Sequence, residues 1–289
     1  MSKQIDVPQS LVDEDANVVH RSAPYVAYRR IAIVNVGLVG PTESFVLIDA
    51  GLVASAPLIR GACEAVYGKG AAPKAILMTH GHFDHVGALE TLAEDWDVPV
   101  YAHPLELPYL NGTAAYPPGD CAVDPGLMAK LAPLYPTKPV DVGARLRSLP
   151  ETGEVPFQRD WRWIHTPGHS VGHVSFWREA DRTLIAGDAV ITANQESVYG
   201  ALTEAPEIHG PPRYFTVDWD AARASVEAIA ALRPATIVSG HGAALSGPEL
   251  APAIEALARR FDEVAAPREG LYLTHPARAV DGTAYRPVQ

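Results

Sequence analysis

Short apolar runs alternate with amphipathic stretches along most of the chain. Runs of β-branched and other apolar residues predict strands over residues 30–39, 44–51, 75–79, 98–102, 161–165, 172–177, 183–188 and 235–239. Stretches with one apolar face predict helices over residues 57–67, 84–95, 219–232 and 247–264, and Asp218 is expected to cap the third. The first two strands resemble an antiparallel pair. The later strand–helix–strand order predicts a sheet that is at least partly parallel.

Three stretches lack this pattern. Residues 1–24 are polar and are expected to form an arm or loop, and residues 103–150 and 189–216 are rich in Pro, Tyr and Gly, with one helix expected near 126–134. Long segments without regular pattern are usually functional or disordered. Their aromatic and histidine side chains are candidates to line a substrate site, with ordinary loop packing as the alternative. These candidates are Tyr109, Tyr116, Tyr199, His209 and Tyr214.

Composition narrows the class of protein. The 289 residues are 47% hydrophobic and 20% charged, which is typical of a globular chain with a large core. No linker or charge block divides them, so we expect one domain over residues 1–289 with insertions at 103–150 and 189–216. The net charge of −11 argues against a nucleic-acid partner and leaves a small-molecule substrate. A homo-oligomer is compatible with the sequence.

The chain shows neither a signal peptide nor an apolar run of membrane-spanning length. A cytoplasmic location without membrane attachment is therefore the expectation.

One motif concentrates the chemistry. Three histidines and an aspartate follow the apolar run at 75–78 within six residues, as His80, His82, Asp84 and His85. His80 and His82 leave an extended chain on the same face, whereas Asp84, as the expected cap of the next helix, and His85 follow the turn. Imidazole and carboxylate without thiolate suit zinc, iron or manganese. The motif therefore predicts ligands for two adjacent metals, the alternative being a polar loop whose histidines only form hydrogen bonds.

Other polar residues follow predicted strands in the same manner. His169 lies at a sharp turn, Asp188 follows a glycine, and His241 is flanked by two glycines. Asp49 also ends a strand, where it either orients a ligand histidine or simply forms a turn. His165 and His173 are expected to be packed or hydrogen-bonded strand residues rather than ligands.

Together these segments resemble the metallo-β-lactamase superfamily over residues 30–245. The matching segments are Thr-His-Gly-His-Phe-Asp-His at 79–85, Thr-Pro-Gly-His at 166–169, Gly-Asp at 187–188 and Ser-Gly-His-Gly at 239–242. The resemblance implies an α/β fold, an αββα sandwich of two mixed sheets with helices outside.

The resemblance also implies a dinuclear site. His80, His82 and His169 would hold one divalent ion, Asp84, His85 and His241 the second, and Asp188 would bridge them, with Asp49 orienting a ligand. Zn²⁺ is the expected ion, and Mn²⁺ and Fe²⁺ are alternatives. A hydroxide shared by the two ions would attack a metal-polarised carbonyl, with Asp84 as a proton shuttle. The stretch at 189–216 begins beside Asp188, so it is expected to cover the metals as a lid.

The substrate expectation is a carboxylic ester, lactone or thioester, since the motif pattern resembles the glyoxalase II and lactonase branch. The chain departs from both. Its last lysine, Lys138, precedes the bridging aspartate, whereas glyoxalase II has lysines after it. Ile191 occupies the position of a lactonase tyrosine, a role for which Tyr199 is a substitute candidate. Alternatives are an iron-dependent oxygenase similar to the persulfide dioxygenases and a phosphodiesterase or nuclease similar to ribonuclease Z.

Overall fold

The computed structural model describes residues 19–123, 130–193 and 206–288. The strands in these residues are β1 (Val19–Ala23), β2 (Val26–Ile31), β3 (Val34–Val39), β4 (Val46–Ile48), β5 (Ile76–Leu77), β6 (Val100–Ala102), β7 (Leu146–Ser148), β8 (Glu154–Val155), β9 (Gln158–His165), β10 (Val174–Arg178), β11 (Thr183–Gly187), β12 (Ile191–Ala193), β13 (Pro206–His209), β14 (Thr236–Ser239) and β15 (Leu245–Ser246).

Helices in the same residues are mostly short. They are α1 (Ala56–Tyr67), α2 (Phe83–Val86), α3 (Leu89–Trp96), α4 (Leu107–Leu110), α5 (Trp219–Leu232), α6 (Leu250–Arg259), α7 (Phe261–Val264) and α8 (Leu271–Thr274). Helix α5 begins where the sequence predicts, because the Asp218 side chain accepts a hydrogen bond from Ala221 N. Within the described ranges, no helix is both long and apolar enough to cross a bilayer.

Two mixed sheets organise these strands. The first runs in the order β1 to β7, antiparallel up to β4 and parallel from β4 to β7. The second has the order β15-β14-β11-β10-β9-β8, in which β11 and β14 are parallel and the other neighbours are antiparallel. Strands β12 and β13 form a separate antiparallel pair.

The sheets pack face to face through side chains that alternate along each strand. Tyr28 and Leu77 from the first sheet and Phe176 and Val238 from the second share one buried cluster. Since successive strand residues point to opposite faces, the neighbouring residues must be covered from outside. The two inner faces therefore form the central layer of the core.

Helices cover both outer faces. In the first sheet, Leu47 packs in one cluster with Ile59 of α1 and Leu92 of α3. In the second, Leu184 packs with Val226 of α5 and, in the same cluster, with residues of α6. This arrangement confirms the αββα sandwich that the resemblance implied.

Strand direction brings the predicted ligands to one edge. Parallel pairing of β4 with β5 places Asp49 beside the segment that begins at Thr79, and parallel pairing of β11 with β14 places Asp188 beside His241. Strand β9 runs antiparallel to β10, which is antiparallel to β11, so β9 ends at the same edge as β11. His169 follows that end. Carboxyl ends of parallel strands are a common position for functional residues in α/β proteins.

The predicted strand at residues 30–39 is in fact two strands joined by a tight turn. Ile31 pairs with Val34, and Ala32 between them has a positive φ of 54°. The sequence offers no Gly, Asn or Pro at this turn, so the apolar run conceals it. Residues 19–23 of the predicted arm also form a strand, β1, which pairs with β2.

The predicted helix at 84–95 divides into α2 and α3. Helix α2 begins at Phe83, so Asp84 lies in its first turn rather than at its cap. The backbone N–H groups of Gly87 and Ala88 donate to the carbonyl oxygens of Gly51 and Ala50, so they leave the helical hydrogen-bond pattern. A Cβ at position 87 would lie 2.1 Å from the Leu52 carbonyl carbon, and only glycine permits this approach.

The other predicted helices also change at their ends. The predicted helix at 247–264 divides into α6 and α7, which are separated at Arg260. Of the helix predicted near 126–134, residues 132–134 form a 3₁₀ turn, and residues 124–129 lie outside the described ranges.

Candidate metal centre

Seven side chains from the predicted motifs converge at the shared edge of the two sheets. Their ligand atoms form three groups, in each of which the atoms lie within 4.8 Å of one another. The groups are His80, His82 and His169; His80, His85 and Asp188; and Asp84, His85 and His241. All seven residues are buried. The structure thus brings together every residue that the sequence suggested as a ligand.

Asp188 lies between the group that contains His169 and the group that contains His241. Its Oδ2 is 3.4 Å from His169 Nε2 and 3.0 Å from His241 Nε2, and its Oδ1 is 3.5 Å from His85 Nε2. The first and last of these separations are longer than ordinary charge-assisted hydrogen bonds. The Asp188 carboxylate therefore faces both groups at distances at which its oxygens and the histidine nitrogens could bind the same cation.

Three buried polar atoms of this cluster lack a hydrogen-bond partner in the described part of the chain. They are Nε2 of His80, Nε2 of His85 and Oδ1 of Asp188. A buried polar atom without a partner is costly, and such atoms in a cluster of imidazoles and a carboxylate fit metal coordination. The donor set therefore suits divalent cations.

Electrostatics separate the histidines into two kinds. Burial lowers the pKa of His82 to about 3, and burial together with repulsion from neighbouring imidazoles lowers the pKa of His80 and His169 well below the ordinary value. A lowered pKa keeps the imidazole neutral, which is the form that binds metals. The three-histidine group therefore presents uncharged nitrogen donors.

Nearby carboxylates dominate the electrostatics of the third group, Asp84, His85 and His241. Burial lowers the pKa of His85 and His241, but the combined attraction of the nearby carboxylates, with Asp188 foremost, outweighs burial and raises both pKa values above the ordinary value. For Asp188, burial raises the pKa, and attraction to His241 and His85 outweighs this and holds it well below its usual range. Asp188 is therefore ionised, with Asp84 adding to the attraction on both histidines.

Asp49 orients histidines of this cluster through hydrogen bonds to His85 and Thr79. Its Oδ2 lies 2.8 Å from His85 Nδ1 and accepts the Thr79 hydroxyl at 2.7 Å, while its Oδ1 accepts Thr79 N–H at 2.8 Å. The Thr79 hydroxyl also lies 3.0 Å from His80 Nδ1. Contacts of this kind fix which ring nitrogen of a histidine is free to bind a metal.

His241 is held by the turn between β2 and β3. Its Nδ1 lies 2.6 Å from the Ile33 carbonyl oxygen, which leaves Nε2 directed at Asp188 and Asp84. Asn35 in the same hairpin donates to backbone carbonyls on both sides of His241. Sequence reasoning did not single out Asn35, although a lone amide between two valines of a buried strand was a possible signal.

The two histidines that the sequence assigned to packed or hydrogen-bonded positions, His165 and His173, have local partners, as expected. His173 Nδ1 lies 2.9 Å from the Thr166 hydroxyl, and its Nε2 accepts Asp188 N–H at 2.9 Å. His165 Nε2 lies 2.9 Å from the Val171 carbonyl oxygen. His173 therefore supports the backbone of a ligand residue instead of joining the cluster.

Aromatic residues adjoin the three-histidine group. The ring of Phe215 lies 5.1 Å from the ring of His82, and Phe83 stacks on Tyr135 at 5.5 Å between centroids. Tyr214 packs in the same cluster. We call Phe83, Tyr135, Tyr214 and Phe215 the aromatic wall. Phe83 and Tyr135 are only half-buried, so this wall has accessible apolar surface beside the ligands.

The other substrate candidates lie at different depths. The Tyr116 ring is 4.3 Å from the His82 ring, whereas Tyr109 lies behind it, stacked on Tyr116 and with its hydroxyl donating to the Ala284 carbonyl. His209 pairs with Glu207 and lines a small cavity beside Ile191. Tyr199 lies outside the described residues.

Glu106 is a buried residue that sequence reasoning missed. Its carboxylate contacts both loops that carry the three-histidine group. It lies in the segment 103–150, where the weak pattern offered no reason to expect a buried acid.

Comparison with known proteins agrees with this geometry. The family model of the metallo-β-lactamase superfamily matches residues 29–241. The chain is 46% identical over 226 residues to the probable metallo-hydrolase YflN of Bacillus subtilis (strain 168), covering 78% of this chain and 86% of that protein. It is 30% identical over 231 residues to a hydroxyacylglutathione hydrolase of Acidiphilium cryptum (strain JF-5), covering 78% and 75% respectively.

A solved structure, that of the Rm3 metallo-β-lactamase, has the same fold. It aligns with a TM-score of 0.60 at 23% identity, covering 87% of this chain and 94% of that one. The family match includes most strands of both sheets and every ligand candidate from His80 to His241. The chain therefore belongs to the metallo-β-lactamase superfamily of metallo-hydrolases.

Proposed function

We propose that this protein is a dinuclear metal-dependent hydrolase that cleaves a carboxylic ester, a lactone or a thioester by hydroxide attack on the carbonyl carbon. The observation that carries the proposal is the buried cluster of seven ligand side chains. Within it, His80 Nε2, His85 Nε2 and Asp188 Oδ1 have no hydrogen-bond partner among the described residues. Such a cluster is costly unless cations occupy it.

Each residue has a distinct role in this proposal. His80, His82 and His169 would hold one ion, and Asp84, His85 and His241 the other. Asp188 would bridge the two, since its oxygens face a histidine of each group. Asp49 would keep His85 oriented through their 2.8 Å contact.

The donor set suits Zn²⁺ and also accommodates Mn²⁺ and Fe²⁺. When bound, two such ions lower the pKa of water and polarise a carbonyl oxygen. Asp84 would also carry protons, as the sequence suggests; its Oδ2 lies 3.4 Å from His241 Nε2. The buried surroundings exclude bulk water and so strengthen every charge interaction with the substrate.

The aromatic wall favours a small-molecule substrate with an apolar group beside the carbonyl. Phe83 and Tyr135 offer partly accessible rings next to the metal ligands. The net charge of −11 disfavours a polyanionic substrate such as RNA. Similarity to a hydroxyacylglutathione hydrolase supports the inclusion of thioesters.

Turnover with defined substrates tests this proposal. The protein would be assayed with p-nitrophenyl esters, lactones, thioesters and bis-p-nitrophenyl phosphate, alongside Asp188→Asn. Asp97→Asn is the matched control, because Asp97 is an exposed aspartate whose carboxylate pairs with Arg145. We expect hydrolysis of a carbonyl substrate that Asp188→Asn abolishes and Asp97→Asn retains. Turnover of the phosphodiester alone, or full activity in Asp188→Asn, would contradict the proposal.

A further inference from the structure

Glu106 is a completely buried carboxylate with four hydrogen-bond donors. It lies in a 3₁₀ turn, Pro104–Glu106, that follows β6. Its Oε2 accepts Gly81 N–H at 3.0 Å and the Tyr116 hydroxyl, and its Oε1 accepts the Ser170 hydroxyl and Gly172 N–H, both at 2.8 Å. Each carboxylate oxygen therefore accepts hydrogen bonds from a different part of the chain.

The loops that contain Gly81 and Ser170 carry the whole three-histidine group. Gly81 lies between His80 and His82, whereas Ser170 directly follows His169. In the structure, His82 Nδ1 lies 2.9 Å from His169 Nε2, although the residues are 87 positions apart. The Glu106 carboxylate is thus a direct link between the loops that bring these nitrogens together.

The packing around Glu106 requires its present neighbours. A Cβ on Gly172 would lie 2.8 Å from Glu106 Cγ and 2.9 Å from its Oε1, so a larger residue would displace the carboxylate. Tyr116 connects the same carboxylate to the imidazole of His82, since its hydroxyl contacts Glu106 and its ring lies 4.3 Å from the His82 ring. Glu106 therefore holds His82 from two directions.

The four donors to Glu106 are backbone amides and hydroxyls rather than cations. Backbone N–H groups can only donate, so the carboxylate satisfies Gly81 and Gly172 in a way that an amide in its place cannot fully reproduce. An isosteric amide would direct its NH₂ at one of the two N–H donors. With the NH₂ at Gly172, that buried N–H loses its acceptor, and with the NH₂ at Gly81, that N–H keeps only the Tyr116 hydroxyl, at 2.8 Å. The arrangement depends on the acid.

We infer that Glu106 is a positioning residue that sets the spacing of His80 and His82 against His169. It is not one of the seven ligand candidates, and its hydrogen bonds join the two loops that carry the three-histidine group. This inference rests on the proposed dinuclear site, because it assigns a cause to the affinity of one of the two ion positions.

Zinc affinity tests the inference in a way that activity alone cannot. Chelator-treated wild-type protein, Glu106→Gln and Glu90→Gln would be titrated with Zn²⁺ against a chromogenic chelator. The control substitutes an exposed glutamate that also accepts a backbone N–H, from Asp141. Loss of a residue that orients a metal ligand typically weakens metal binding by about 10- to 100-fold. We expect that loss in one of the two binding phases of Glu106→Gln and no change in Glu90→Gln.

A second variant covers the event that Glu106→Gln does not fold. Ser170→Ala removes one of the four donors and keeps the carboxylate, so the same phase should weaken by a smaller factor of roughly three to ten. Circular dichroism and the melting temperature of the metal-free proteins establish that each variant is folded.

Unchanged affinity in every folded variant, or equal weakening of both phases, would overturn the role assigned to Glu106. Wild-type protein that binds no zinc would instead overturn the proposed function, and this inference with it.

Discussion

The side-chain amide of Asn35 donates to the carbonyl oxygen of Gly242 at 2.6 Å, across 207 positions of the chain. The same amide donates to Ser239 at 2.9 Å, and Asn35 N–H donates to Gly240 at 2.7 Å. Three hydrogen bonds from one residue of the first sheet thus hold the segment of the second sheet that carries His241. The β2–β3 hairpin, which the sequence did not predict, therefore positions His241, a candidate metal ligand.

Replacing Asn35 should therefore destabilise the protein and disturb the site. Asn35→Ala leaves two buried carbonyl oxygens without their donors, each costing about 1–3 kcal/mol. We expect a fall of this order in the free energy of unfolding of the metal-free protein, measured in urea. Asn111→Ala, at an exposed turn where the side chain accepts hydrogen bonds from Thr113, should change it by less than about 0.5 kcal/mol. Equal effects of the two substitutions would contradict the role of Asn35.

Gly240 admits no side chain. A Cβ there would lie 1.9 Å from Asp188 Oδ1 and 2.9 Å from His85 Cε1. Gly240→Ala should displace the Asp188 carboxylate, which we propose bridges the two ions, and weaken zinc binding by about tenfold or more, measured by chelator competition. Gly61→Ala is the opposite case, because an added Cβ there meets nothing within 4 Å. It lies inside helix α1 and should stabilise the fold by about 0.5–1 kcal/mol without changing zinc affinity.

The aromatic wall should select the acyl group. Tyr135→Ser removes a ring that stacks on Phe83, and loss of one apolar contact typically changes discrimination by about 10- to 200-fold. We expect kcat/KM for a p-nitrophenyl octanoate to fall by about tenfold relative to the acetate. Phe157→Asn is the control, since Phe157 is an exposed ring on the β8–β9 turn. An equal fall in kcat/KM for both esters in Tyr135→Ser would show that the aromatic wall does not discriminate between acyl chain lengths.

His103 should make the fold sensitive to acid. Burial, then repulsion from His165, whose ring stacks on it at 4.2 Å, lowers the pKa of His103 to about 4. The His103 imidazole is protonated near pH 6.5 in the unfolded chain and near pH 4 in the folded chain. Its contribution to the free energy of unfolding is therefore complete above pH 6.5 and is lost as the pH falls from 6.5 to 4. His103→Asn keeps the cap of the 3₁₀ turn and removes the imidazole. Its unfolding free energy should decline less between pH 7 and pH 5 than that of wild type, and an identical decline would contradict this account.

Local patterns predicted much of the site. His80, His82, Asp84 and His85 are encoded within six residues that follow a strand, so spacing alone indicated their convergence. Residues whose partners are remote in sequence were harder to predict. Glu106 bonds to Gly81 and Gly172, at separations of 25 and 66 positions, and nothing in its immediate neighbours indicates burial.

Turn chemistry explains the error in the first predicted strands. The turn at Ala32 and Ile33 has the side chains of a strand interior, and only the pairing of Ile31 with Val34 reveals it. The insertions predicted at 103–150 and 189–216 contribute Tyr116 and Thr216 next to ligand histidines. Their action as a substrate wall and lid stays a prediction.

The number of bound ions distinguishes a dinuclear site from a mononuclear one. Native mass spectrometry of the zinc-loaded wild-type protein and of Asp188→Asn would count them on each folded chain. We expect two ions on the wild-type protein and fewer on the variant, because Asp188 faces His169 of one group and His241 of the other. A single ion on the wild-type protein, or the same two on Asp188→Asn with undiminished affinity, would contradict this expectation.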